Sequence, residues 1–181
     1  YVHGKSGIDG ANLPDPSRPA QNQHAVEWII ATLRNTSEPI TLATLGPLTN
    51  VATAIIMAPD ILENIRELVL MGGALSLGNT TPAAEFNIWQ DPEAALRVLQ
   101  SGVELTLVGL DVTRGALLGA NEAEELRQAG EAGCFVAELL DFFAGLFVAI
   151  AAVFIAVVHV LKALLTPPFS VVIVVVIVVV V

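Results

Sequence analysis

Residues 39–50 read PITLATLGPLTN, and this stretch decides the fold class. Its first seven residues form a short apolar, partly β-branched run that stops at Gly46-Pro47, which is typical of a buried strand of a parallel sheet. A helix is predicted directly afterwards, over residues 49–57. A strand that leads straight into a helix indicates an α/β architecture.

The same alternation recurs along the chain. Apolar residues at helical spacing over residues 25–34, after the polar Asn22-Gln23-His24, predict a capped amphipathic helix. Two further strands are predicted over residues 66–71 and 104–110, with a helix over residues 92–100 between them. Strands separated by helices predict α/β crossover units.

Ligands of open parallel sheets bind outside the carboxyl ends of the strands. In this chain those ends lead into residues 46–50, 71–87 and 111–113. Asp111 stands at the end of an apolar strand, but a helix cap is its simpler role, and we leave it out of the predicted site.

The central segment is the most informative one, because residues 79–87 read NTTPAAEFN. Two carboxamides and one carboxylate offer donors and acceptors together, which suits a ligand with vicinal hydroxyls. The simpler alternative is a loop in which Asn87 or Asp91 caps the helix that opens at Pro92. The residue types alone leave both interpretations open.

The charge of the chain indicates which partners to expect, and its cysteine content indicates the cellular compartment. Eight basic and eighteen acidic residues give a net charge of −10, and without clustered Lys and Arg we expect no nucleic-acid partner. Cys134 is the only cysteine, so it is expected to be a small buried hydrophobe in a cytoplasmic protein. The abrupt start at Tyr1, without a leader pattern, predicts a fragment.

The composition changes sharply near Gly145, after which Lys162 is the only charged residue. A membrane segment is one interpretation, since residues 146–165 have about the length that a bilayer requires. A buried parallel strand with an aggregation-prone end is the second, given the Val/Ile run over residues 171–181. The monotonous composition favours a third, namely that the segment is not a faithful natural sequence.

Several motifs resemble the central signature of the inosine-uridine-preferring nucleoside hydrolases. The most specific ones are LMGG, PAAEFN and DPEAA, at residues 70–73, 82–87 and 91–95. Weaker matches follow the same order, at residues 2–10, 45–50 and 109–113. The resemblance covers about residues 1–145 and implies a Rossmann-like open, mostly parallel sheet flanked by helices, present as a fragment. Residues 146–181 would be an anomalous apolar tail of the same domain.

The resemblance also implies roles for residues around a sugar. Three polar side chains would bind ribose hydroxyls, namely Asn79, Glu85 and Asn87. Two apolar side chains, Met71 and Phe86, would pack near the sugar.

Further implied roles concern a calcium ion and the base. The backbone carbonyl of Leu45 would be one calcium ligand, since a carbonyl ligand tolerates any side chain. His3 would lie near the base, with a structural role in its turn as the alternative. His159 would match the acid that protonates the leaving group, although Val160 stands where the family has a calcium-binding aspartate.

The activity implied by the resemblance is hydrolysis of the N-glycosidic bond of purine or pyrimidine ribonucleosides to ribose and free base. It implies a calcium cofactor, an oxocarbenium-like transition state and a homodimer or homotetramer. The family's N-terminal aspartate cluster has no counterpart in the chain, so the chain by itself is expected to be inactive. The alternatives are a non-catalytic sugar- or nucleoside-binding module and a protein anchored in a membrane by residues 146–181.

Overall fold

The computed structural model describes residue 17, residues 19–146 and residues 174–176, with side chains described as far as residue 142. The chain divides into two compact units. The described part of the first unit comprises residues 21–112 and 174–176, and that of the second comprises residues 17, 19–20 and 113–146. The described residues of the predicted site all belong to the first unit.

The first unit is built on a sheet of four strands in the order β3-β2-β1-β4. Its strands are β1 (Ile40–Thr44), β2 (Ile65–Met71), β3 (Leu105–Val108) and β4 (Val174–Val176). Every neighbouring pair is parallel, which confirms the predicted open parallel sheet. All five residues of β1 are buried, as expected for a strand with neighbours on both sides.

The described residues form seven α-helices, and the sequence predicted the first, second and fourth of them. They are α1 (Ala25–Asn35), α2 (Thr49–Met57), α3 (Phe86–Gln90), α4 (Pro92–Leu99), α5 (Leu110–Thr113), α6 (Ala120–Arg127) and α7 (Glu131–Leu146), with a short 3₁₀ helix at Pro59–Asn64. The first helix was predicted to be capped by the polar residues before it, and the cap is His24, whose Nδ1 accepts a hydrogen bond from the Val26 amide at 3.2 Å.

One apolar core joins the sheet to α1, α2 and α4. Leu42 and Leu68 contribute from the strands, while Ile29, Ile55 and Val98 contribute from the helices, and each is at most 2% exposed. Full burial of side chains of this size stabilises a fold by about 1.5–3 kcal/mol each. This core fixes the strands whose carboxyl ends carry the candidate site.

The second unit has its own small core, in which Ala123, Ala137 and Leu140 are buried. Cys134 is only half-buried, and its Sγ donates to the Arg127 carbonyl at 3.1 Å, so the expected full burial of the thiol is wrong. Among the described residues, no helix has both the length and the apolar character needed to cross a bilayer.

The C-terminal tail is described only at residues 174–176. These residues pair in parallel with β1, as the interpretation of a buried parallel strand predicts for them. The rest of the tail, including the segment considered as a membrane span beyond residue 146, lies outside the described residues.

Candidate functional site

The carboxyl ends of β1 and β2 lie side by side, and each continues into a short glycine-containing turn. Leu45 follows β1, and Gly72-Gly73 follows β2. Gly73 has φ +74°, a left-handed conformation that glycine adopts without strain. A Cβ on Gly109 would lie 3.1 Å from the Gly73 carbonyl oxygen, so the chain after β3 approaches this turn closely. The candidate site is built on these two turns.

Glu85 is 3% exposed and is held by three backbone amides. Its Oε2 accepts from Asn87 at 2.9 Å and Ile88 at 3.2 Å, which caps the first turn of α3, and from Gly73 at 3.0 Å. The carboxylate therefore links α3 to the turn after β2. Its second oxygen, Oε1, has no hydrogen bond with any described residue.

Asn87 lies in the first turn of α3 and is 6% exposed. Its Nδ2 donates to the carbonyl oxygens of Met71 at 3.0 Å and Leu45 at 3.3 Å, and contacts the Met71 sulfur at 3.4 Å. Because both carbonyls are acceptors, the amide nitrogen must face them and Oδ1 must point away. Asn87 thus ties the ends of β1 and β2 together, and its Oδ1 stays unpaired among the described residues.

Asn79 lies in an exposed loop that folds back on the start of α3. The Ala84 carbonyl accepts from the amides of Asn79 at 3.0 Å and Thr80 at 3.1 Å, which closes the loop. The Asn79 Oδ1 accepts from the Phe86 amide at 2.8 Å. Because Oδ1 faces the helix in this bond, Nδ2 points away from the helix. Nδ2 donates to no described residue.

The structure therefore brings Asn79, Glu85 and Asn87 together around the start of α3. Met71 is buried beside Asn87, whereas the Phe86 side chain is 47% exposed. The capping alternative is correct for Asp91, whose Oδ1 accepts from the Ala94 amide at 3.0 Å, but Asn87 does not cap α4.

Asp111 was expected to cap a helix, but its carboxylate instead binds the loop that follows β2. Oδ2 accepts from the Leu75 amide at 2.5 Å, and Oδ1 accepts from the Ser76 hydroxyl at 2.6 Å. The Ser76 hydroxyl, followed by the Leu75 amide, lowers the pKa of Asp111 below its usual value of 3.8. Sequence reasoning missed this contact because its partners lie about 35 residues away.

The described residues do not by themselves fit a calcium site. Leu45 offers one carbonyl oxygen, which already accepts from Asn87. Within the part of the chain that the structure describes, no three His, Cys, Asp or Glu residues form a group that could hold a metal ion. His3 and His159 lie outside the described residues, so their predicted roles stay predictions.

Comparison with known proteins gives consistent matches. The model of the family described as "Inosine-uridine preferring nucleoside hydrolase" matches residues 1–166, somewhat further than the motifs alone extend. The pyrimidine-specific ribonucleoside hydrolase RihA of Escherichia coli O9:H4 (strain HS) is 50% identical over 143 residues, which cover 78% of this chain and 46% of RihA. The chain thus spans about half the length of the curated relatives it matches.

Solved structures agree with these sequence matches. The purine-preferring ribonucleoside hydrolase from Gardnerella vaginalis superposes with a TM-score of 0.76 at 35% identity, covering 91% of this chain and 56% of that protein. The plant nucleoside hydrolase PpNRh1 gives the same TM-score at 28% identity, covering 91% of this chain and 55% of that protein.

Proposed function

The chain belongs to the inosine-uridine preferring nucleoside hydrolase family, and from this membership we propose that it forms the ribose-binding part of an enzyme that hydrolyses ribonucleosides. The bond cleaved is the N-glycosidic bond, and the products are ribose and the free base. The names of its relatives include a pyrimidine-specific and a purine-preferring enzyme, so the proposal covers both classes of base.

One observation carries the proposal: three clustered polar side chains each bind the protein through one atom and keep another free of the described residues. Glu85 keeps Oε1, Asn87 keeps Oδ1, and Asn79 keeps Nδ2. Two acceptors and one donor, fixed by hydrogen bonds on their other sides, match the hydroxyl groups of a ribose. Because these hydrogen bonds already order the side chains before the sugar binds, less conformational entropy is lost on binding, which favours tight binding of the sugar.

The buried carboxylate also suits the reaction. The transition state of glycosidic cleavage resembles an oxocarbenium ion, so positive charge develops on the sugar. Glu85 is the only charged residue that is buried within the described part of the chain, and a fixed negative charge in such surroundings stabilises developing positive charge. We propose that Met71 and Phe86 pack near the sugar, that His3 lies near the base, and that His159 protonates the leaving group.

We further propose calcium as the cofactor, with the Leu45 carbonyl as one ligand, on the strength of the family resemblance. Bound calcium would orient the ribose diol and a water molecule. The described residues alone do not complete a ligand set for this ion. The single cysteine supports a cytoplasmic setting, and the family resemblance supports a homodimer or homotetramer.

The direct test is ribose release from inosine and from uridine by the protein at its full length, with calcium and with a chelator. We expect ribose release that the chelator abolishes. Ribose binding without turnover under either condition would contradict the hydrolase and favour the non-catalytic binding module.

Asn79→Asp tests the site itself, because it keeps the oxygen that accepts from Phe86 and replaces the free amide donor by a charged carboxylate oxygen that can only accept. We expect KM for the ribonucleoside to rise about tenfold or more, the effect of losing one hydrogen bond to a buried ligand. Asn35→Asp is the matched control, an exposed asparagine whose amide binds only the Ala31 carbonyl of its own helix. Equal KM values for the two variants would remove Asn79 from the site.

A further inference from the structure

The segment from Gly73 to Ser76 is held against the start of α5 by three hydrogen bonds. The Leu110 amide donates to the Gly73 carbonyl at 2.9 Å. The Asp111 carboxylate accepts from the Leu75 amide at 2.5 Å and from the Ser76 hydroxyl at 2.6 Å. One side chain, that of Asp111, therefore supplies two of the three bonds.

Hydrophobic packing does not hold this segment in place. Leu75 is 94% exposed and Leu77 is 64% exposed, so neither apolar side chain anchors the loop by burial. Within the described part of the chain, the contacts that hold the backbone here are therefore its hydrogen bonds, and an exposed loop without such bonds samples many conformations. Asp111 is thus the main side-chain anchor of the loop that leads from β2 to Asn79.

The same segment also contacts the proposed ribose site. The Gly73 amide donates to Glu85 Oε2 at 3.0 Å, so Gly73 is bound by Leu110 through its carbonyl and by Glu85 through its amide. Gly73 has φ +74°, and it can present its amide to Glu85 only while the chain on both sides holds that conformation. Any movement of the backbone at Leu75 would therefore be transmitted to Glu85 through the two residues that precede Leu75, the first of which is Gly73.

We propose that Asp111 is a positioning residue for the ribose site: it fixes the Gly73–Ser76 turn and thereby holds Glu85 and the Asn79 loop in their binding geometry. The inference rests on the proposed function for its effect on the substrate. In this proposal Asp111 acts through the turn and not by contact with the sugar. Its own partners are the Leu75 amide and the Ser76 hydroxyl.

The structural part is tested by amide hydrogen exchange in the protein at its full length. In Asp111→Ala we expect exchange to rise about tenfold not only at Leu75 but also at Gly73 and Phe86, whose amides bind Glu85 and Asn79. Asp111→Asn keeps one acceptor and should give an intermediate rise. Faster exchange confined to Leu75 and Ser76 would overturn the proposal, because the turn would then move without affecting the site.

Asp60→Ala is the matched control, since Asp60 is also an exposed carboxylate of the same unit with two hydrogen bonds, both to Arg34. It should leave exchange at Gly73 and Phe86 unchanged. A rise equal to that of Asp111→Ala would indicate general loosening of the unit and would also overturn the proposal.

The functional part is tested by KM and kcat for inosine and uridine. Asp111→Ala should raise KM about tenfold while the melting temperature stays near that of the Asp60→Ala control, and Asp111→Asn should restore part of the loss. An unchanged KM in a variant whose site amides exchange faster would refute the link to the substrate. If the unmodified protein releases no ribose, the proposed function fails, whereas the exchange measurement still decides whether Asp111 positions Glu85.

Discussion

Replacing Glu85 by alanine tests the central contact of the site. The change removes the acceptor of three amides, those of Gly73, Asn87 and Ile88. The last two are first-turn amides of α3, and loss of such a cap costs about 1–2 kcal/mol. The bond from Gly73 to a buried charge contributes about 1.5–3 kcal/mol more. We therefore expect Glu85→Ala to lower the free energy of unfolding by about 2.5–5 kcal/mol.

Urea denaturation followed by circular dichroism, on the protein at its full length, measures this loss. Asp91→Ala is the comparison, because Asp91 caps α4 through a single backbone amide and otherwise accepts, among the described residues, only from the exposed Thr49 hydroxyl. Its loss should cost about 1–2 kcal/mol. Glu85→Gln keeps an oxygen acceptor without the charge, so its loss of unfolding free energy should lie between those of Glu85→Ala and Asp91→Ala. If Glu85→Ala costs no more than Asp91→Ala, the three-amide contact does not anchor the site, and the reasoning is refuted.

Two further predictions concern Asn87 and Asp111. Asn87→Asp places an oxygen against the carbonyls of Met71 and Leu45. We therefore expect the free energy of unfolding, measured by thermal or urea denaturation, to fall by about 2–4 kcal/mol. Unchanged stability would contradict the described amide orientation. Because contacts in the folded state lower the pKa of Asp111, its contribution is complete above about pH 5 and is lost as the pH falls through that lowered pKa. The Tm advantage of the unmodified protein over Asp111→Asn should therefore be constant near neutrality and shrink in acid, and an advantage that grows in acid would contradict it.

Local sequence rules were sufficient for three of the four strands, β1, β2 and β3, and for the helices α1, α2 and α4. The helix predicted over residues 49–57 has those bounds in the structure, and β1 lies within the apolar run before Gly46-Pro47. Both succeed because a buried apolar run next to a chain-breaking pair leaves few conformations open. The parallel pairing followed from the alternation of strands with helices.

The same rules missed α3 and the contact of Asp111. The helix α3 has only five residues, too few for helical periodicity to show, and its cap is Glu85 rather than one of the short polar residues that usually begin a helix. Asp111 looked like a local cap, while its partners Leu75 and Ser76 are distant in sequence. Such contacts depend on how the strand ends meet in space, which residue types alone do not encode.

In the predicted site, Asn79, Glu85 and Asn87 gather around the start of α3. Their clustering could be anticipated because they belong to one nine-residue segment, residues 79–87, in the connection that follows β2. Which atom of each side chain is engaged depends on the backbone amides and carbonyls that lie beside it in the folded chain, so it could not be read from the sequence. Ribose binding by these residues stays a prediction.

The pairing of β4 with β1 has a consequence for how the chain acquires its fold. Thr44 pairs with Val176, about 130 residues later. Contacts between such distant residues require the closure of a long loop and slow the search for the native topology. At a synthesis rate of about 5–20 residues per second, β1 leaves the ribosome several seconds before β4 exists. During that interval one backbone edge of β1 lacks this partner, and an unpaired strand edge is a site at which another chain can pair and start aggregation.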